Sequence, residues 1–94
     1  MEFIMKIGDV VTIPNVGFVI VGGNTEITKN DISKLCNIGD NIVIKTENEE
    51  LLFKVLDIKL SFSISENVII SMQLEETKDF CKLNSGDLVY KELT

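Results

Sequence analysis

Residues 7 to 23 read IGDVVTIPNVGFVIVGG: two apolar runs joined by a tight turn. Little besides a β-hairpin accommodates that pattern. With the residues before it, the first arm, FIMKIGDVVTI, alternates, placing Phe3, Met5, Ile7, Val11 and Ile13 in one row with Asp9 as its single polar break. Gly8, next to Asp9, predicts a bulge or bend in the strand. Pro14 to Gly17 is turn chemistry, the proline supplying a fixed φ and the glycine conformational freedom at the exit. The returning FVIVGG is apolar on both faces, which predicts burial from two sides or a barrel wall covered by something else.

The rest of the chain continues in the same manner. NIVIKT at 41–46 reads as a strand, ENEE at 47–50 as a polar tip, and LLFKVLDIKL as the return. Along that return the apolar row shifts from Leu51, Phe53 and Val55 to Leu56, Ile58 and Leu60, which predicts a bulge or sharp coil. VIISMQL alternates cleanly, Phe80 and Leu83 suggest a single helical turn, and LVYKEL closes the chain as a last strand. Between the hairpin and NIVIKT, NTEITKNDISKLCNIGD changes character: Thr28 and Asp31 resemble a helix start, and one or two helical turns are expected over about 29 to 36. Composition agrees with this reading, because thirteen Ile and nine Val stand against no Ala, and β-branched residues suit a pleated, half-buried surface. Ninety-four residues suit one domain. Six short strands with turns between them predict an all-β fold, and closure into an antiparallel barrel is favoured because an edge as apolar as FVIVGG would invite aggregation. Gly-Asp precedes an apolar run three times, at 8–9, 39–40 and 86–87. That dipeptide is too short to define a repeat, and predicts a turn in which Gly takes positive φ and Asp bonds the neighbouring backbone.

Several chemistries are disfavoured. The net charge is −6, and all nine basic residues are Lys, scattered singly among fifteen carboxylates. DNA binding is not expected without Arg or a basic stripe. There is no His, hence neither the usual general base nor the commonest metal ligand. Cys36 and Cys81 cannot make a zinc site and read as buried free thiols, a disulfide between them being possible only outside a reducing cytosol. No cofactor or metal is expected. MEFIMKIGDVV carries an acid at position 2 and a polar break before any long apolar run, and VGFVIVGG is far short of the ~20 residues that span a bilayer. A soluble, cytosolic protein is expected, with no membrane contact.

Phe3, Ile7, Asp9, Val10, Ile13, Gly17, Val19, Ile20 and Gly22 are spaced as in the opening hairpin of the second domain of translational GTPases, which this chain resembles, most closely the elongation factor Tu type. IGDNIVI at 38–44, ENVIISMQL and LNSGDLVYK are similar, in order, to later strands of that domain. The resemblance covers nearly the whole chain. It implies a single domain, residues 1–94, folded as a six-stranded antiparallel closed β-barrel of the translation-factor domain 2 type, here with one short helical insertion. No phosphate-binding Gly-Lys-Thr loop is present, so GTP hydrolysis is not expected. The tRNA-end pocket of the family does not carry over, since the segment after Gly22 is replaced by the insertion NTEITKNDISKLC and lacks Arg.

Candidate residues are few. Glu47, Glu49 and Glu50 with Asn48, and Glu75, Glu76 and Asp79, could gather a hard cation or simply face solvent. Asp9 could be a perturbed carboxylate or a backbone acceptor at Gly8. Cys36 has no neighbour to generate a thiolate, and Ser61, Ser63 and Ser65 have no base. Loops on a rigid barrel are where binding groups are displayed, so Asn24, Glu26, Lys29, Asp31 and Lys34, around Ile27 or Ile32, form the candidate partner surface. The expected function is a non-catalytic protein-binding module, for example an acidic inhibitor or immunity protein acting on a basic partner. The alternative, through the resemblance alone, is a translation-associated accessory protein docking to a ribosome or tRNA end.

Overall fold

The computed structural model describes residues 2–24, 36–62 and 68–92. Six antiparallel strands, β1 (Glu2–Ile13), β2 (Gly17–Asn24), β3 (Asn41–Lys45), β4 (Glu50–Phe62), β5 (Val68–Leu74) and β6 (Leu88–Lys91), close into a barrel in the order β1-β2-β5-β4-β3-β6. The expected all-β closed barrel is what forms. Among the described residues no helix is long and apolar enough to cross a membrane. The helical turn expected over 29–36 lies, up to residue 35, outside the described residues.

Alternation places one face of each strand inside. Ile42 and Ile44 of β3, Leu51, Phe53 and Val55 of β4, Val68, Ile70, Met72 and Leu74 of β5, and Val89 of β6 are buried together. Full burial of such a side chain contributes about 1.5–3 kcal/mol. A 3-10 turn, Lys78–Lys82, sits against this core: Phe80 stacks on Phe18 with ring centroids 4.3 Å apart, and Leu83 is buried beside it. The turn after β1 has Val16 N–H donating to the Ile13 carbonyl at 3.1 Å, with Asn15 at φ 68° and Gly17 at φ 121°. Proline followed by a residue at positive φ is the type II arrangement.

β1 departs from the single row expected of it. Register shifts lie between Phe3 and Met5 and between Ile7 and Asp9. Ile4, Met5 and Ile7 are buried, Val10 packs on the core, and Phe3 and Ile13 are exposed, with Val11 only half-buried. Each bulge adds one residue and so exchanges the inward and outward faces beyond it. The bulge predicted in β4 lies between Val55 and Asp57; past it Ile58 packs on the core while Leu56 and Leu60 stay exposed.

The pairings reveal an internal two-fold that the sequence does not announce. Ile7 faces Gly22 and Asp9 faces Val21 across the β1 bulge; Val55 faces Leu74 and Asp57 faces Gln73 across the β4 bulge. Val11 pairs with Val19 as Lys59 pairs with Ser71, and Ile20 faces Met72 on the axis itself. The first three strands thus superpose in topology on the last three. Two Asn-x-Gly-Asp turns complete the pattern. Gly39 N–H donates to the Val55 carbonyl at 2.8 Å and Val55 N–H to the Asp40 carbonyl at 2.9 Å. Gly86 N–H donates to the Ile7 carbonyl at 2.7 Å and Ile7 N–H to the Asp87 carbonyl at 2.8 Å. In each turn the aspartate carboxylate accepts the asparagine N–H at 2.8 Å. Gly39 and Gly86 take φ 95° and 100°, as expected of these turns. Gly8 does not take positive φ; it lies in the bulge, where Asp9 accepts the N–H of Val10 at 2.9 Å, as Asp57 accepts that of Ile58.

Gly22 leaves no room for a side chain, since a Cβ there would run into the Lys6 carbonyl and the Met5 sulfur. Gly22→Ala is therefore expected to cost about 1–3 kcal/mol by overpacking, read as a lowered thermal midpoint. Gly23→Ala, whose Cβ would meet only the Val68 carbonyl at 3.4 Å, is the control and is expected to cost less.

Candidate interaction surface

Of the five residues expected to form a partner surface, Asn24 is described, and it is not on a rim. It ends β2, is 7% exposed, and its Nδ2 donates to the Ile4 carbonyl at 2.8 Å. A buried amide so held pins β2 to β1 from inside the barrel, since buried polar groups need partners. Glu26, Lys29, Asp31 and Lys34 lie outside the described residues, as do Ile27 and Ile32.

The described surface has three distinctive regions. On the outer wall of β1, β2, β5 and β4, cross-strand pairing lays down two rows: Asp9–Val21–Ser71–Lys59 and Val11–Val19–Gln73–Asp57. All of these but Asp9 line a groove of about 200 Å³ whose β1–β2 side is Val11, Ile13, Val16, Val19 and Val21. Gln73 Nε2 donates to the Val16 carbonyl at 2.6 Å, tying the β1–β2 turn to β5. Val19 is only 7% exposed although it points away from the core.

On the opposite wall, Phe3, Tyr90, Val43 and Leu52 are consecutive cross-strand partners over β1, β6, β3 and β4. Phe3 meets Tyr90 edge-on at 5.6 Å between centroids, and the Lys45 ammonium lies 4.7 Å from the Tyr90 ring centroid. Lys45 also pairs with Glu50 at 3.6 Å.

The third region is polar. The β3–β4 tip, the 3-10 turn and the Asn84–Asp87 turn meet around a recess of about 340 Å³. Lys82 bridges Glu49 at 3.2 Å and Asp79 at 3.1 Å. Hydrogen bonds from the Lys82 ammonium to Asp79 and then Glu49 hold it charged above the ordinary lysine range. Two of the acids considered as cation ligands are thus taken by a lysine, and Glu50 by another. Among the described residues no three His, Cys, Asp or Glu side chains gather in a way that could hold a metal ion.

Asp9 serves the bulge backbone. Ser61 is exposed on β4, while Ser63 and Ser65 lie outside the described residues. Cys36 is buried as expected, whereas Cys81 is exposed, its thiol donating to the Lys78 carbonyl at 3.1 Å; both are free. Burial, with the negative charge of Asp40 adding to it, pushes the Cys36 thiol from 9.0 up to about 11. A neutral thiol is a poor nucleophile. The groove had a sequence signal in the two-sided apolar character of FVIVGG. The aromatic row had none, because its members are far apart in the chain. Comparison with protein-family models, with curated proteins and with solved structures finds no match for this chain.

Two outcomes are expected of the thiols. Under native conditions a chromogenic disulfide reagent titrates Cys81 quickly and Cys36 only after denaturation. Because the folded state keeps the Cys36 proton where the unfolded chain loses it, the associated stability is whole below about pH 9 and is lost as pH rises toward about 11. Cys36→Ala removes that dependence, so the difference in melting temperature between the two proteins changes across this window.

Proposed function

We propose that this chain is a non-catalytic protein-binding module that holds a basic partner, in the manner of a small acidic inhibitor or immunity protein. The observation that carries the reading is the outer wall of β1 and β2, where Val11, Ile13, Val16, Val19 and Val21 face away from the core on a chain of net charge −6. Apolar side chains outside the core suit a partner's contact, and an acidic surface steers a basic partner toward it. The non-catalytic part rests on the candidate groups: a neutral Cys36, an Asp9 engaged with its own backbone, and acids paired with lysine. Two free thiols fit a reducing compartment such as the cytosol.

A second reading, a translation-associated accessory protein docking to a ribosome or tRNA end, draws on two supports. The closed six-stranded barrel is the fold implied by the resemblance to domain 2 of translational GTPases. The Phe3–Tyr90 pair with Lys45 has the aromatic and cationic character on which unpaired bases stack.

Affinity purification from the native host at low salt is expected to recover a basic protein in stoichiometric complex. Raising the salt to about 1 M, where the screening length is about 3 Å, is expected to release it. Recovery of no partner, or of an acidic one, overturns the first reading. Cosedimentation with ribosomal subunits in a sucrose gradient supports the second, and a profile confined to the top of the gradient removes it.

A further inference from the structure

The internal two-fold supplies a control within the chain for what the outer wall requires. Positions 59, 61, 71 and 73 in the second half are the topological equivalents of 11, 13, 19 and 21 in the first. The second half fills them with Lys59, Ser61, Ser71 and Gln73, and its strands pair in the same register across the same bulge. Polar side chains therefore satisfy the fold at these places. The first half fills them with Val11, Ile13, Val19 and Val21, which the fold does not demand. Several inward positions stay apolar in both halves, Ile20 and Met72 or Val10 and Ile58, whereas Gly22 stands where the second half has Leu74 because the Lys6 carbonyl and Met5 sulfur fill the space a side chain would need.

We infer that the groove lined by Val11, Ile13, Val16 and Val21 is the docking site for an amphipathic, lysine- or arginine-bearing segment of the partner. This inference rests on the binding-module reading above and names where and how the partner is held. The chemistry of the occupant follows from the groove's margins. Its β1–β2 side is aliphatic, and its volume of about 200 Å³ admits aliphatic side chains. Asp57 lines the β4 side, Asp9 lies beside Val21, and Glu75 continues the outward row of β5 beyond Gln73. The carboxylates of Asp9 and Asp57 each give one oxygen to a backbone N–H, at 2.9 Å in both cases. The second oxygen of each remains to meet a cation. The lining holds one acid, Asp57, and one base, Lys59; Asp9 and Glu75 at its ends, with Lys54 beside Glu75, leave an excess of one negative charge around the groove. A segment with aliphatic side chains flanked by cations matches both features; an acidic segment meets repulsion.

The test uses the full-length protein and short fluorophore-labelled peptides in anisotropy titrations. One peptide alternates leucine with lysine, a second leucine with glutamate, and a third serine with lysine. The leucine–lysine peptide is expected to bind well above the other two. Val11→Lys with Val21→Gln, which installs the side chains of the equivalent positions, is expected to weaken that binding about tenfold or more while the protein keeps its far-ultraviolet dichroism and melting cooperativity. Lys59→Val, the reciprocal exchange, is expected to tighten it, a gain that loss of folding cannot mimic. Equal binding by wild type and the double variant, equal binding of the serine–lysine peptide, or no binding by wild type overturns the inference. So does a dimer in sedimentation that the double variant abolishes, because it assigns the groove to a second copy. A basic partner that copurifies equally with wild type and the double variant separates the two claims: the module reading stands and the groove is not its site.

Discussion

Closure of the barrel rests on two backbone clamps of the same design. In each, a turn with a glycine at positive φ lays two hydrogen bonds on the last inward residue before a bulge: Gly39 and Asp40 on Val55, Gly86 and Asp87 on Ile7. Each clamp satisfies both the N–H and the C=O of that residue, and it holds the strand's register where a one-residue slip would turn its apolar side chains to solvent. Among the described residues β3 pairs only with β4 and β6, and β6 only with β3 and β1, so neither half completes a sheet alone. The clamps join the halves at the points where that mutual completion begins.

The same symmetry separates what the fold needs from what it merely tolerates. A close-packed interior punishes changes of volume, so Ile20 and Met72, or Val10 and Ile58, stay apolar in both halves, and Gly22 replaces the bulk of Leu74 only where the Lys6 carbonyl takes up the space. The outer wall has no such constraint, and there the halves have diverged, one to valine and isoleucine, the other to lysine, serine and glutamine. That contrast distinguishes the apolar wall from an accident of β-branched composition, because the chain itself contains the polar version.

Legibility in the sequence followed how local each determinant is. β5 was readable to the residue, since VIISMQL alternates without interruption, and the β4 bulge announced itself as a change of phase. The phase of β1 was not readable throughout: two bulges within one strand place Ile4 and Met5 both inside, and only pairing with β6 and β2 reveals them. Asn24 shows the same limit. Following Gly22 and Gly23 it reads as the start of a polar loop, yet its burial depends on the carbonyl of Ile4 across the barrel. Of the surface regions, the groove was foreshadowed by a strand apolar on both faces, while the Phe3–Tyr90–Val43–Leu52 row needed three registers to assemble.

Taken by itself, the sequence determined the class and the count: alternation, β-branched side chains and turn chemistry act over a few residues, and they make six antiparallel strands the economical solution. Tertiary structure decided which faces meet. Closure, the two-fold, the burial of Asn24 and the groove all depend on register between strands distant in the chain. Register is settled by the joint burial of every inward side chain at once, a quantity no short stretch of sequence contains.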